Sequence, residues 1–188
     1  MSIISDTELD RRIELLETKL IGQHLDDIIR KLQKLSQHFD DAKDSEKTPF
    51  RNVLNVSTEP GSSWEVVKNY ILYQVGRRGS SEIWKYQRGA FSKDLVKDLD
   101  HLKSDASTIV NEIKSTLLDL CQKNADCAKT EEEKADHAKT KEVIESYFSD
   151  PVTKKLEKAT HFKLVQLYLG YLARKHTAWL GENKPEKK

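Results

Sequence analysis

The chain has 188 residues, of which 34% are charged and 37% hydrophobic, with a formal net charge of +1. That is enough apolar material for the core of one domain under a well-wetted surface, the mean hydropathy being -0.70. Near-balanced charge excludes a strong global field, so attraction for a polyanion has to come from local clustering.

In chain order, Ser5 and Glu8 stand at capping-box spacing. Leu9, Ile13, Leu16 and Leu20, then Leu25, Ile28, Leu32, Leu35 and Phe39 after a phase slip, predict one long helix over 6–39. Its apolar seam suits the inside of a bundle or a second copy of the chain. The polar tract "DDAKDSEK" ends it. Thr48-Pro49 predicts the cap and first position of a short helix carrying Arg51, Val53 and Leu54. Ser62 and Glu65 repeat the capping-box signal, opening a helix with Trp64, Val67, Ile71 and Val75 inward and Gly76 and Gly79 at its end.

After a short turn, Ser92 reads as the cap of a long central helix with a stripe from Leu95 to Leu120. The polar stretch 122–140 is either an exposed helical hairpin or a flexible insertion. Val143, Ile144, Tyr147 and Phe148 restore an apolar face, and Asp150-Pro151 opens the last helix, with Leu156, Leu164, Leu167, Tyr168, Tyr171 and Leu172 inward. The expected fold is all-α: a bundle of about five to six helices, the first, central and last being long, in one domain over 1–181 with a disordered tail at 182–188. Only 7 glycines and 4 prolines interrupt it.

No apolar run is long enough to span a bilayer, and "MSIISDTELD" carries no signal-peptide pattern. A cytoplasmic protein without membrane association is expected, with Cys121 and Cys127 as free thiols. No metal or cofactor is expected either. There is no phosphate-cradling glycine loop, no His-Asp pair, and the spacing of Cys121, Cys127 and His137 fits no zinc finger or ribbon. His24, His38, His101, His161 and His176 are scattered and read as ordinary half-buried or surface residues. Catalysis is not expected.

The stretch "NYILYQVGRRGSSEIWKYQRG", Asn69 to Gly89, gathers Arg77, Arg78, Lys85 and Arg88 around Glu82 as its single acid, with Lys93 following. Arg77 and Arg78 at a helix C-terminus offset the helix dipole by about 0.3–1 kcal/mol each. That accounts for the pair but not for Lys85, Arg88 and Lys93. Cations flanked by glycines suit a phosphate backbone that approaches closely. Tyr86 or Trp84 offers a ring for stacking on a base; Trp84 reads better as a core ring, and Tyr86 fits either role.

"TPFRNVL" (Thr48 to Leu54), "NYILYQVGRR" (Asn69 to Arg78), a long helix and a terminal "YLGYLARKHTAWLG" (Tyr168 to Gly181) occur in that order. Together they resemble the small helical subunit of type III-A CRISPR effector complexes, over the middle of the chain and its last helix. Thr48 and Arg51 match the family's first element, and Tyr73, Gln74, Gly76 and Arg77 its second. The chain is longer than the family usually runs, in the first helix, in "GSSEIWKYQRG" and in 122–140, so the small subunit of a related type III complex fits as well. The resemblance implies a non-catalytic subunit for antiviral defence that stacks along the guide RNA–target RNA duplex beside other subunits and associates with itself. It would hold phosphates without reading sequence, Arg51 and Arg77 being implied contacts. The residues themselves add Arg78, Lys85, Tyr86, Arg88 and Lys93 as candidates. The rival reading is a helical homo-oligomeric scaffold or adaptor, without nucleic-acid binding, in which the Leu9–Phe39 seam pairs two copies.

Overall fold

Helix signals at Ser5, Thr130 and Ser63 account for where the chain begins its turns, and the described residues hold no strand. The computed structural model describes residues 4–42 and 49–182. The expected cap at Thr48, most of the polar tract before it, and the tail at 183–188 lie outside the described residues. Among the described residues seven helical segments follow one another: α1 (Asp6–Leu35), the five-residue α2 (His38–Ala42), α3 (Pro49–Thr58), α4 (Trp64–Gly76), α5 (Glu82–Asp126), α6 (Glu131–Tyr147) and α7 (Asp150–Glu182). The all-α bundle with long first, central and last helices is what the periodicity predicts. No described helix is long and apolar enough to cross a membrane.

Three local differences from the sequence reading have clear causes. The amide of Glu8 donates to Ser5 Oγ at 3.3 Å, but the Glu8 carboxylate does not return to the cap because Arg12 Nε holds it at 2.8 Å. The first helix does not run to 39: Ser36 Oγ donates to the Gln33 carbonyl at 2.8 Å, the kind of side-chain bond that competes with helix continuation, and the chain turns before α2. Ser63, not Ser62, caps α4, accepting from the amide of Val66 at 3.4 Å.

The chain divides into two compact units, residues 1–24 with 103–161, and 25–102 with 162–188. In the first, Leu9, Ile13 and Leu20 of α1 are buried, as are Ile109, Ile113 and Leu117 of α5, with Ile144 and Phe148. Polar ties accompany them: Thr160 donates to the buried Glu17 at 2.7 Å, Ser107 to Glu157 at 2.7 Å, and Tyr147 to Asp10 at 2.6 Å. Burial and Asp10 push the Tyr147 phenol up to about 12. The stretch 122–140 is a helical hairpin. Thr130 and Glu133 form a reciprocal capping box, and Glu133 also accepts from the Lys129 amide at 2.8 Å, which lowers its carboxyl below the usual range. Both cysteines are free thiols, and buried Cys121 donates to the His137 carbonyl at 3.3 Å.

In the second unit, the buried Trp64 and Tyr168 and the half-buried Trp179 have their polar ends satisfied. Trp64 Nε1 donates to Asp100 at 3.0 Å, Tyr168 OH to Asp98 at 2.8 Å and Trp179 Nε1 to Asp40 at 2.7 Å. Desolvation, then the Asp98 charge, raises the Tyr168 phenol far above its ordinary value. Phe39, Phe50, Trp84 and Phe91 form one aromatic cluster, which His176 joins edge-on, 4.9 Å from Phe50 and 5.1 Å from Phe39. His161 and His176 are thus core residues, 5% and 2% exposed, where surface or half-buried positions were expected. Of the Leu9–Phe39 seam, Leu9, Ile13, Leu20, Ile28, Leu32, Leu35 and Phe39 are buried, while Leu16 and Leu25 are half-buried.

His176 Nε2 is buried without a hydrogen-bond partner, and burial lowers its pKa to about 4. A histidine in the unfolded chain titrates near 6.5, so between the two values the unfolded state binds the extra proton and stability falls as pH drops. The loss at the bottom of that window is on the order of 3 kcal/mol. His176→Phe, which keeps a ring in the cluster, is expected to flatten that part of the stability profile between about pH 6.5 and pH 4. Urea unfolding of both proteins across this range measures it, with parallel profiles as the contrary result.

Candidate nucleic-acid interface

Six of the seven residues singled out by sequence surround the junction of α4 and α5. α4 stops at Gly76, and Arg77 leaves the helix in an extended conformation while its amide still donates to the Tyr73 carbonyl at 3.2 Å. The carbonyl of Arg77 accepts from both the amide and the hydroxyl of Ser80, at 3.3 and 2.9 Å, which pins the loop. Lys85 Nζ reaches back to the Arg78 carbonyl at 2.9 Å, so one of its donors closes the junction itself. The hydroxyl of the half-buried Tyr86 accepts from the side-chain Nε2 of Gln87 at 3.3 Å.

α5 bends where the sequence reading places a new helix. Tyr86 is extended, and Gln87, Arg88 and Gly89 are left-handed, with φ of 47, 58 and 79°. Two non-glycine residues in that region cost roughly 1–2 kcal/mol each. Ser92 is not a helix cap: it is fully buried within α5, its hydroxyl 3.4 Å from the Trp84 carbonyl on the other side of the bend. Trp84 is a core ring, 2% exposed, 5.5 Å from Phe50 and 5.5 Å from Phe91. Gly89 does not open the backbone to a ligand. It is buried, and a Cβ there would meet Val75 Cγ1 at 3.0 Å, so its small size serves packing between α4 and α5.

Arg77, Arg78, Arg88 and Lys93 are exposed, as is Arg51 on α3. Among the described residues none of these five takes part in an ion pair. Arg51 lines a separate recess of about 550 Å3 between α3 and α7, which none of the other six lines. Arg174 and Thr177 of α7 line it too, with His176 in the wall. Sequence reasoning passed over Arg174. Gly170, Ala173 and Thr177, at helical spacing around it, are the signal: small residues on one helix face leave room beside them.

What this arrangement can do is hold anions. Guanidinium forks match phosphate oxygens, and unpaired ones need shed no carboxylate first. Among the described residues no group of three or more His, Cys, Asp or Glu is placed to hold a metal ion.

Gly89→Ala is expected to destabilise the protein by about 1–3 kcal/mol, combining a left-handed alanine with the crowded Val75 methyl. The shift in the denaturant midpoint measures it, and an unchanged midpoint would show that the bend is not needed for the fold. No family model, curated protein or solved structure matches this chain.

Proposed function

We propose that the chain is a non-catalytic RNA-binding subunit, the small helical subunit of a type III CRISPR ribonucleoprotein, which holds the phosphates of the guide–target duplex without reading bases. The observation that carries this reading is the set of exposed, unpaired guanidiniums at Arg51, Arg77, Arg78 and Arg88, in a chain whose overall charge is only +1. The ordered elements "TPFRNVL" and "NYILYQVGRR", by their resemblance to that family, support a role in a defence complex. Phosphate contacts position a protein on a nucleic acid and leave specificity to base pairing, which suits a subunit repeated along a duplex. Val66, Leu72 and Tyr73 of α4, 46%, 47% and 59% exposed, supply apolar surface for neighbouring subunits.

Seven of the nine residues of the Leu9–Phe39 seam are buried within the chain, Leu16 and Leu25 being half-buried, which leaves the scaffold reading little apolar surface there. Salt separates the two readings. RNA binding through phosphates weakens steeply as salt rises, whereas apolar association responds little. Reversing Arg51 and Arg77 to Glu is expected to lower affinity for single-stranded RNA and to reduce the log–log salt slope by about 1.4, roughly 0.7 for each lost phosphate contact. Filter binding over a salt series tests it, with circular dichroism as the check on folding. A folded double variant with wild-type affinity at low salt removes the assigned surface.

A further inference from the structure

The recess between α3 and α7 has features that tracking a phosphate backbone does not require. Its volume of about 550 Å3 falls within the roughly 300–1,000 Å3 of small-ligand sites. Part of its lining is apolar and small, with Gly170, Ala173 and Ala178 on the α7 side and the buried Phe50 on the α3 side. A Cβ built on Gly170 meets no atom within 4 Å, so the space beside it is free.

Two guanidiniums, Arg51 and Arg174, line the same recess from different helices, and no acid lines it. Neither is ion-paired among the described residues; Arg174 lies over the ring of Tyr171 at 5.0 Å. His176 adds an independent observation. It is 2% exposed, it contributes to the wall, and its Nε2 has no partner. A buried polar atom left unpaired costs about 1–3 kcal/mol, and such atoms are rare enough in folded proteins to need a reason. Burial keeps the imidazole uncharged at neutral pH, so it adds no third cation to the recess.

We infer that the recess binds one nucleoside monophosphate unit, its phosphate on Arg51 and Arg174 and its base against the small apolar wall beside His176. Inorganic phosphate alone would leave the apolar wall empty. A carboxylate-headed lipid would offer only one anionic fork to two guanidiniums. The unit comes either from an RNA strand or from a free nucleotide. The inference rests on the reading of Arg51 as a phosphate contact and extends it to a recess shared with Arg174 and a small apolar wall.

The test compares wild type with Gly170→Leu, Arg174→Glu and the junction variant Arg77→Glu/Arg88→Glu, each confirmed folded by circular dichroism. Gly170→Leu fills the recess from a position where a side chain meets nothing, and leucine favours the helix over glycine. Calorimetry with AMP and fluorescence anisotropy with a short labelled single-stranded RNA are read at low salt. Gly170→Leu and Arg174→Glu are each expected to weaken binding by about tenfold or more, the scale of one lost charge-assisted contact. The junction variant should weaken RNA alone. Loss of both AMP and RNA binding in the recess variants identifies a site open to free nucleotide; loss of RNA binding with no AMP binding in wild type identifies a strand nucleotide. Wild-type behaviour of Gly170→Leu towards both probes overturns the inference, and if the junction variant still loses RNA, the RNA-binding reading survives it. Recess-dependent AMP binding in a wild type that ignores RNA does the reverse.

Discussion

Phe50 is 1% exposed, and its ring lies 5.6 Å from Phe39, 5.5 Å from Trp84, 5.3 Å from Phe91 and 4.9 Å from His176. Residues from α2, α3, α5 and α7 therefore share one packed centre. Burial of rings this large contributes more than any polar contact nearby, and edge-to-face pairs add roughly 0.5–1.5 kcal/mol each. The constraint is sharpest on α5. Trp84 and Phe91 are seven residues apart, and both must reach Phe50 and each other.

That demand explains the bend. A continuous helix would place Trp84 and Phe91 two turns apart, about 10 Å along its axis, out of reach of each other. Turning through the extended Tyr86 and the left-handed Gln87, Arg88 and Gly89 brings the two together, 5.5 Å between centroids. The chain accepts backbone strain at Gln87 and Arg88 because the aromatic packing offsets it. The residues carrying the strain are thereby exposed, and one of them is an arginine. The same centre orders the recess. Phe50 holds the first turn of α3, which carries Arg51, and His176 is fixed by the cluster, which leaves its Nε2 without a partner.

A sequence-blind phosphate interface asks little of individual side chains and much of their mounting. Exposed arginines on helix surfaces are common, and charge alone gives no groove. Here the junction cations are anchored through the backbone, with the Arg77 carbonyl tied to Ser80 and the Arg78 carbonyl to Lys85. Such a loop loses less freedom on meeting a polyanion than a flexible one would. The proposed subunit role draws on this mounting and on the apolar face of α4, and the proposed nucleotide site on the room beside Gly170.

Several features were legible in the residues alone. Apolar spacing gave the helices and most of their inward faces, since a 3.6-residue period is a local property, although Leu120 at the end of the α5 stripe is 46% exposed and Cys121 beside it is buried; the preference for Trp84 as a core ring, and the cation-rich stretch from Arg77 to Lys93, were likewise visible without coordinates. Tertiary structure alone decided the rest. Ser92 read as a cap and lies buried, because what interrupts α5 is the meeting of Trp84 and Phe91 on Phe50, a long-range demand that no local signal encodes. Gly89 looked like access for a ligand and is filled by Val75 from another helix. Arg51 and Arg174 stand 123 positions apart in sequence, and only the packing of α3 against α7 makes them neighbours of one recess. Local periodicity determines which face of each helix is buried; which faces then meet, and what room is left between them, depends on side-chain volumes drawn from distant parts of the chain.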